Sequence, residues 1–171
     1  MKSAFLLLPL LLGLTSCAGY RLGSQLPADI RTVHVFIARN LTDEPLLEND
    51  VTRAVLSQLA RDGSLRVVSE DEADALLFIE ITGYESQAIG FDARNRARPD
   101  EFRLLLQANT ILTRRSSGAT LVRSGTLEGR STLSLVGDLT TSRRTALPSA
   151  SEDLARRLVA TITEAWITED S

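Results

Sequence analysis

Two stretches restrict the fold of this chain more than any others: Ala75 to about Ile89, and Phe102 to Thr113. In the second, Leu104, Leu106, Ala108 and Leu112 alternate with Arg103, Gln107, Asn109 and Thr113. A period of two is the mark of a strand with one buried and one wetted face. In the first, Leu77, Ile79 and Ile81 are assigned to one face, and Leu76, Phe78, Glu80, Thr82 and Tyr84 to the other. The segment between them, Gly90 to Pro99, is polar and turn-like, with Arg94, Arg96 and Arg98 at every second position. After a hairpin turn at Arg114–Gly118 the chain extends again from Ala119 to Leu133, its polar residues Arg123, Glu128 and Arg130 pointing outward. Such patterns suit an antiparallel sheet covered on one side.

The sheet needs a cover, and two amphipathic segments supply it. Thr32 to Ala38 is β-branched and apolar, hence a strand. Asn40 to Pro45 is a loop, with Pro45 suited to a helix's first turn. Leu47, Val51, Ala54, Val55 and Leu59 then recur at spacings of three and four, and Gly63 is placed to stop that helix. Leu65 to Val68 is a short strand, so this region resembles one βαβ crossover. Glu70 to Asp74 is an acidic turn. Near the end, Val136 to Pro148 is expected to be a polar loop, with Ser149 or Ser151 capping a last helix whose stripe is Leu154, Leu158, Ile162, Ala165 and Trp166. The expected order is β-α-β-β-β-β-α. The fold class is α+β: a two-layer sandwich with a mixed, mainly antiparallel sheet and both helices on one face.

The first residues do not belong to that sandwich. Met1–Ser3 give a short positive start and Ala4–Leu14 an apolar run too short to be a stable membrane-spanning helix. Leu14-Thr15-Ser16-Cys17 resembles the lipobox of bacterial lipoproteins. The resemblance implies that residues 1–16 are a signal peptide and that the Cys17 sulfur takes a diacylglyceryl group, with further acylation at the new amine. Two or three acyl chains make release negligible, at about 0.8 kcal/mol per buried methylene. Cys17 is the sole cysteine, which excludes disulfides. Ala18, rather than Asp, after the cysteine favours the outer membrane. Residues 17–30 are then a lipidated tether, and 31–171 a single domain.

Little in the sequence suggests catalysis. The lone histidine, His34, sits inside an apolar strand, where a structural role is expected. There is no Gly-rich phosphate loop, HExxH or GxSxG. Glu70, Asp71, Glu72 and Asp74 lack the spacing of a calcium loop, so no metal and no cofactor is expected. A formal net charge of −3 argues against nucleic-acid binding. All the basic residues except Lys2 are arginine. Arg94, Arg96 and Arg98 share one loop with Arg103 nearby, and Arg143 and Arg144 precede the last helix. Such groups can clamp the phosphates of an acidic glycolipid, although a solvated charged loop is the plainer reading of the residues alone.

Several features in order resemble the small lipopolysaccharide-assembly lipoproteins, the LptE-like family. They are Cys17-Ala18-Gly19-Tyr20, the strand and loop Val33–Thr42 with Asn40-x-Thr42, and Arg61-Asp62-Gly63 with Leu65-x-Val67-Val68. Ala73-Asp74-Ala75, Glu101-Phe102-Arg103-Leu104, Gly118-x-x-Leu121-x-x-Ser124-Gly125 and Asp153-Leu154-Ala155 through Trp166 follow. The resemblance implies a two-layer sandwich with no enzyme activity. It also implies a place inside the large outer-membrane β-barrel that inserts lipopolysaccharide, and contact with lipopolysaccharide through basic residues. By position these are Arg94, Arg96, Arg143 and Arg144. The inserted Ala18 and the lack of lysine depart from enteric relatives. Two other readings compete: a different periplasmic lipoprotein with a βαβ core, such as a secretion-channel subunit or peptidoglycan-synthase activator, and a hydrolase using His34, Glu80 and Asp92.

Overall fold

In the computed structural model, residues 26–91, 99–134 and 138–164 are described, without the side chains of Leu139, Thr140 and Arg143. The long alternating stretches form a hairpin of two strands, β4 (Ala75–Phe91) and β5 (Pro99–Arg114), paired antiparallel from Ala75–Arg114 to Phe91–Pro99. The first strand region is shorter than expected. It divides into β1 (Thr32–Val35) and β2 (Arg39–Asn40), both parallel to β4, so Asn40 belongs to a strand and not to the loop. β3 (Arg66–Val67) lies parallel to β1 across helix α1 (Leu47–Asp62), as a βαβ unit requires. Ala119–Leu133 is likewise two strands, β6 (Thr120–Arg123) and β7 (Leu127–Ser134), which pair with opposite ends of β5. The chain breaks between them where Ser124 turns in: its N–H donates to Thr110 O at 2.9 Å, and its Oγ accepts from Thr110 N at 2.8 Å. The sheet order is β3-β1-β4-β5-β6.

Both helical stripes face the same side of this sheet. Leu47, Val51, Ala54, Val55 and Leu59 of α1 are buried, as their spacing predicts. They join Leu77, Ile79, Ile81, Leu104, Leu106 and Leu112 in one core. Gly63 ends α1 at φ 75° with its N–H on Leu59 O, a conformation that costs glycine nothing. Pro45 is not in the helix. Leu46 precedes its first residue at φ 68°, a left-handed backbone that costs a leucine about 1–2 kcal/mol.

The last helix overturns the expected loop. α2 runs from Leu139 to Glu164 with Pro148 inside it. An interior proline loses one backbone hydrogen bond and costs about 3 kcal/mol, which is why the sequence pattern suggests a break. Burial reverses the balance: Ala146, Ala150, Leu154, Leu158 and Ile162 all enter the core, while Pro148 stays exposed. The cap is therefore Asp138, whose carboxylate accepts from Thr141 N at 2.8 Å and from Thr141 Oγ1 at 2.7 Å. Ser149 and Ser151 are interior helix residues. Ala165 and Trp166 lie outside the described residues.

Tyr84 is a second correction. Ile81 pairs with Ala108 but Gly83 with Gln107, so one extra residue is inserted in β4. A bulge reverses which side chains face inward. Tyr84 consequently sits opposite Leu106 and packs against the core.

Two close fits hold the layers. A Cβ on Gly129 of β7 would lie 2.4 Å from Ala150 O and 2.5 Å from Leu154 Cβ, so only glycine lets α2 approach. At the other end Asp74 pins the start of β1 to the start of β4. One of its carboxylate oxygens accepts from Arg31 N at 3.0 Å, Thr32 N at 3.0 Å and Thr32 Oγ1 at 2.8 Å. The Arg31 backbone N–H, with the Thr32 hydroxyl second, holds this carboxyl below its ordinary pKa of 3.8.

Gly129→Ala should lower unfolding free energy by about 1–3 kcal/mol through overpacking, measured as a shift of the denaturant midpoint at unchanged slope. Asp74→Asn should cost about 1–2 kcal/mol at neutral pH, after allowance for solvent screening. Because the folded pKa is depressed, this contribution is present above about pH 4 and fades as pH falls through the folded value. The gap between wild type and Asp74→Asn should accordingly narrow in acid melts as Asp74 protonates; a gap that is the same in acid as at pH 7 contradicts this role.

Candidate functional site

The register of the sheet brings the residues that border 92–98 and those that border 135–137 to one end of the sheet. Phe91 pairs with Pro99 at the border of residues 92–98, and Glu101 pairs with Ser134 at the border of 135–137. α2 starts beside them, capped by Asp138. The loop before β5 and the segment before α2 thus leave neighbouring strands at a common end of the sheet. Arg94 and Arg96 lie outside the described residues, as do Cys17 and the side chain of Arg143. Arg144 is described: it is exposed on α2, six residues beyond the capping Asp138. Arg144 is thus a helix residue and not a loop residue.

Next to it a cleft of about 390 Å³ opens between the end of β7 and the first turns of α2. Thr132, Ser134, Thr141, Ser142, Thr145 and Ser149 line it with hydroxyls, and Leu133 and Ala146 form apolar walls. Thr145 Oγ1 donates to Thr141 O at 3.1 Å, and Ser131 Oγ, just below, donates to Ala146 O at 3.0 Å. Neutral hydroxyls above an apolar base, beside a helix N-terminus, suit oxygen-rich groups. The charge at this end is mixed, since Asp100, Glu101 and Asp138 accompany Arg144. The sequence pattern does not reveal this cleft because Pro148 hides the first half of α2. The available signal is Asp138 followed by Thr141 at the third helical position.

The residues of the hydrolase reading do not converge. His34 is half-buried on the sheet face away from the helices, its Nδ1 3.1 Å from Val68 O and its ring edge-on to Phe36 at 4.7 Å. Glu80 carries an ion pair with Arg39 at 3.5 Å. His34 is in register with Leu76, four residues along β4 from Glu80, which separates them by roughly 13 Å at strand spacing. That is far beyond hydrogen-bond reach. Asp92 lies outside the described residues. Among the described residues no group of three His, Cys, Asp or Glu side chains is placed to hold a metal, and no helix is long and apolar enough to cross a membrane.

The uncovered sheet face has its own feature. Phe36 and Phe78 stack with ring centroids 4.8 Å apart and an interplanar angle of 13°, and Phe78 keeps 39% of its surface exposed.

The described residues form a two-layer α+β sandwich in which both helices pack on one face of the sheet and the Phe36–Phe78 face is covered by neither. The chain belongs to the LptE lipopolysaccharide-assembly family, whose model matches residues 30–162. No curated protein matches it in sequence. Among solved structures it is similar to a DUF330 protein of Xanthomonas campestris, at 14% identity over 80% of this chain and 88% of that one, with a TM-score of 0.56. It is also similar to PelC from Paraburkholderia phytofirmans, solved as a dodecamer (16% identity, 83% and 94% covered, TM-score 0.53). A minor lipoprotein from Acinetobacter baumannii matches at 13% identity, 78% and 93% covered, TM-score 0.52. At such identities these likenesses establish the fold alone.

Asp138→Ala should cost about 1 kcal/mol of stability by loss of the α2 cap. Denaturant titration measures this, and amide exchange should show the loss concentrated at Thr141. A loss spread evenly over α2 would contradict the capping role.

Proposed function

We propose that this chain is a lipid-anchored, non-catalytic partner of the large outer-membrane β-barrel that delivers lipopolysaccharide to the cell surface. Cys17 carries the acyl groups after removal of residues 1–16, and Ala18 directs the protein to the outer membrane, where it faces the periplasm. The domain from residue 31 onward fills the barrel as a plug. The sheet face with Phe36 and Phe78, which neither helix covers, suits contact with a protein wall, since aromatic side chains dominate interface energetics. The end of the sheet bordered by residues 92–98 and 135–138 is the lipopolysaccharide end. There Arg94, Arg96, Arg143 and Arg144 pair with lipid phosphates, and the hydroxyls of the adjoining cleft meet sugar or phosphate oxygens.

The family match over residues 30–162 carries this reading. The β5–β7 register, which sets the borders of residues 92–98 and 135–137 at one end of the sheet, supports it, as does the description of the Acinetobacter structure as a lipoprotein. The test is isolation of the tagged protein from its own membranes in mild detergent. A large β-barrel should co-purify in fixed ratio, and mass spectrometry should find an acylated Cys17 at the N-terminus. Replacing all four arginines by alanine should weaken binding to lipopolysaccharide micelles at least tenfold and flatten its salt dependence. Recovery of the protein alone, or with an unmodified thiol, sinks the proposal.

A further inference from the structure

Among the described residues, the outer half of β4 has one edge with no strand beside it. β1 and β2 cover that edge only as far as Ile81, whose carbonyl accepts the last rung from Leu41 N at 3.0 Å. From Gly83 to Phe91 the strand is bonded to β5 on its other edge, and among the described residues no strand lies against it on this one.

The ladder fixes which backbone groups point outward there. Leu77 and Ile81 aim their carbonyls at Phe36 and Leu41. Thr110, opposite Ile79, aims its N–H at Ser124 and so away from β4. Odd-numbered residues of lower β4 therefore face β1 and β2. The residue inserted between Ile81 and Gly83 switches the parity. Above it Glu85 and Gln87 bond to Leu105 and Arg103, and Ser86 and Ala88 direct N–H and C=O to the open edge.

Exposed edges are normally blunted by lysine, proline, inward charge or cover. Residues 83–91 contain no proline and no basic residue, and Glu85 is their one charge. The edge is framed instead by apolar groups. Leu41 and Leu46, 51% and 65% exposed, start and close the loop at its foot, where a cleft of about 350 Å³ separates Thr42–Glu44 from Thr82–Tyr84. Ile89 and Phe91 are exposed at its tip. Ser86 Oγ, on this stretch, is buried with no hydrogen-bond partner.

A row of backbone donors and acceptors is matched only by another extended backbone. A second copy fits poorly: two-fold pairing of residues 83–91 sets Gly83 against Phe91, so the loop Thr42–Glu44, which flanks Thr82–Tyr84, meets the Phe91 end of the other copy's strand. The chain's own N-terminal lead-in enters at the other end of β4, where Arg31 N bonds Asp74. We propose that the edge of β4 from Gly83 to Ile89 receives an extended segment of a different protein by strand addition. Its apolar side chains rest on Leu41 and Leu46 at one end and Ile89 at the other. This does not depend on the lipopolysaccharide reading.

The test places p-benzoylphenylalanine in turn at Glu85, Gln87 and Ile89 of the full chain in its own cells, and maps the photo-crosslinks by mass spectrometry. All three should reach one stretch of one partner, with a step of two residues between Glu85 and Gln87 and a further step in the same direction at Ile89, the second inserted residue of β4. Ala88→Pro removes an edge N–H that takes no part in the β5 ladder. It should cut crosslinking from Gln87 at least tenfold, whereas Ala88→Ser should not. In case the proline variant folds poorly, amide exchange of the purified unsubstituted protein gives a second reading: Ser86 and Ala88 should exchange at least a hundredfold faster than Glu85 and Gln87. Crosslinks that scatter, that return to a copy of this chain, or that ignore Ala88→Pro overturn the proposal, as do protected Ser86 and Ala88 amides in the isolated protein. A stepped crosslink to a protein that is not a β-barrel supports the strand addition while removing the barrel partner, so the two proposals fail separately.

Discussion

The antiparallel ladder between β4 and β5 is the interaction on which every other element depends. It runs from Ala75–Arg114 to Phe91–Pro99, and each remaining strand attaches to one of these two. β1 and β2 lie along β4, and β6 and β7 along β5. Neither edge pair is long enough to stand alone, since isolated two-stranded structures are marginal in water. The core layer follows from the same hairpin. Its inward residues, Leu77, Ile79, Ile81, Leu104, Leu106 and Leu112, form the floor on which α1 and α2 rest.

The length of this hairpin also separates two regions. Its lower half is flanked on both sides, tied by Asp74 at the start of β1, and covered by α1 and the end of α2. Its upper half is covered by the first turns of α2 and paired with β7, yet among the described residues it has no strand along one edge. The bulge after Ile81 marks the transition. One inserted residue turns Tyr84 inward and presents Ser86 and Ala88 to the open edge. Both halves carry buried core residues, such as Leu77 below and Leu104 above, but the outward-facing backbone groups of Ser86 and Ala88 lie in the upper half.

Within the upper half the lipopolysaccharide proposal and the strand-addition proposal use different surfaces. The first uses side chains at the end of the sheet, where β5, β7 and α2 converge. The second uses backbone groups along the side of β4. A protein held against a membrane by its N-terminus can engage a lipid at one surface and a polypeptide at the other, because the rigid hairpin between them fixes their separation.

Much of this was legible in the residues. The stripe of α1 and its stop at Gly63 depend on spacing within one turn of chain, and the structure reproduces them. The alternation in β5 and the hairpin turn ending at Gly118 are equally local. Of the candidate site, the sequence showed which arginines cluster along the chain. That the borders of residues 92–98 and 135–137 share one end of the sheet follows from the Glu101–Ser134 pairing, a long-range register no local pattern encodes. A period of two places Tyr84 on the outer face, and a single inserted residue inverts that period without altering composition. Pro148 opposes helix locally, so the sequence pattern favours a loop there, and only burial of Ala146 and Ala150 outweighs it. The sequence by itself determined the elements whose hydrogen bonds and apolar faces close within a few residues. Tertiary structure decided register, facing and the extent of α2, because those depend on free energy released only when distant segments meet.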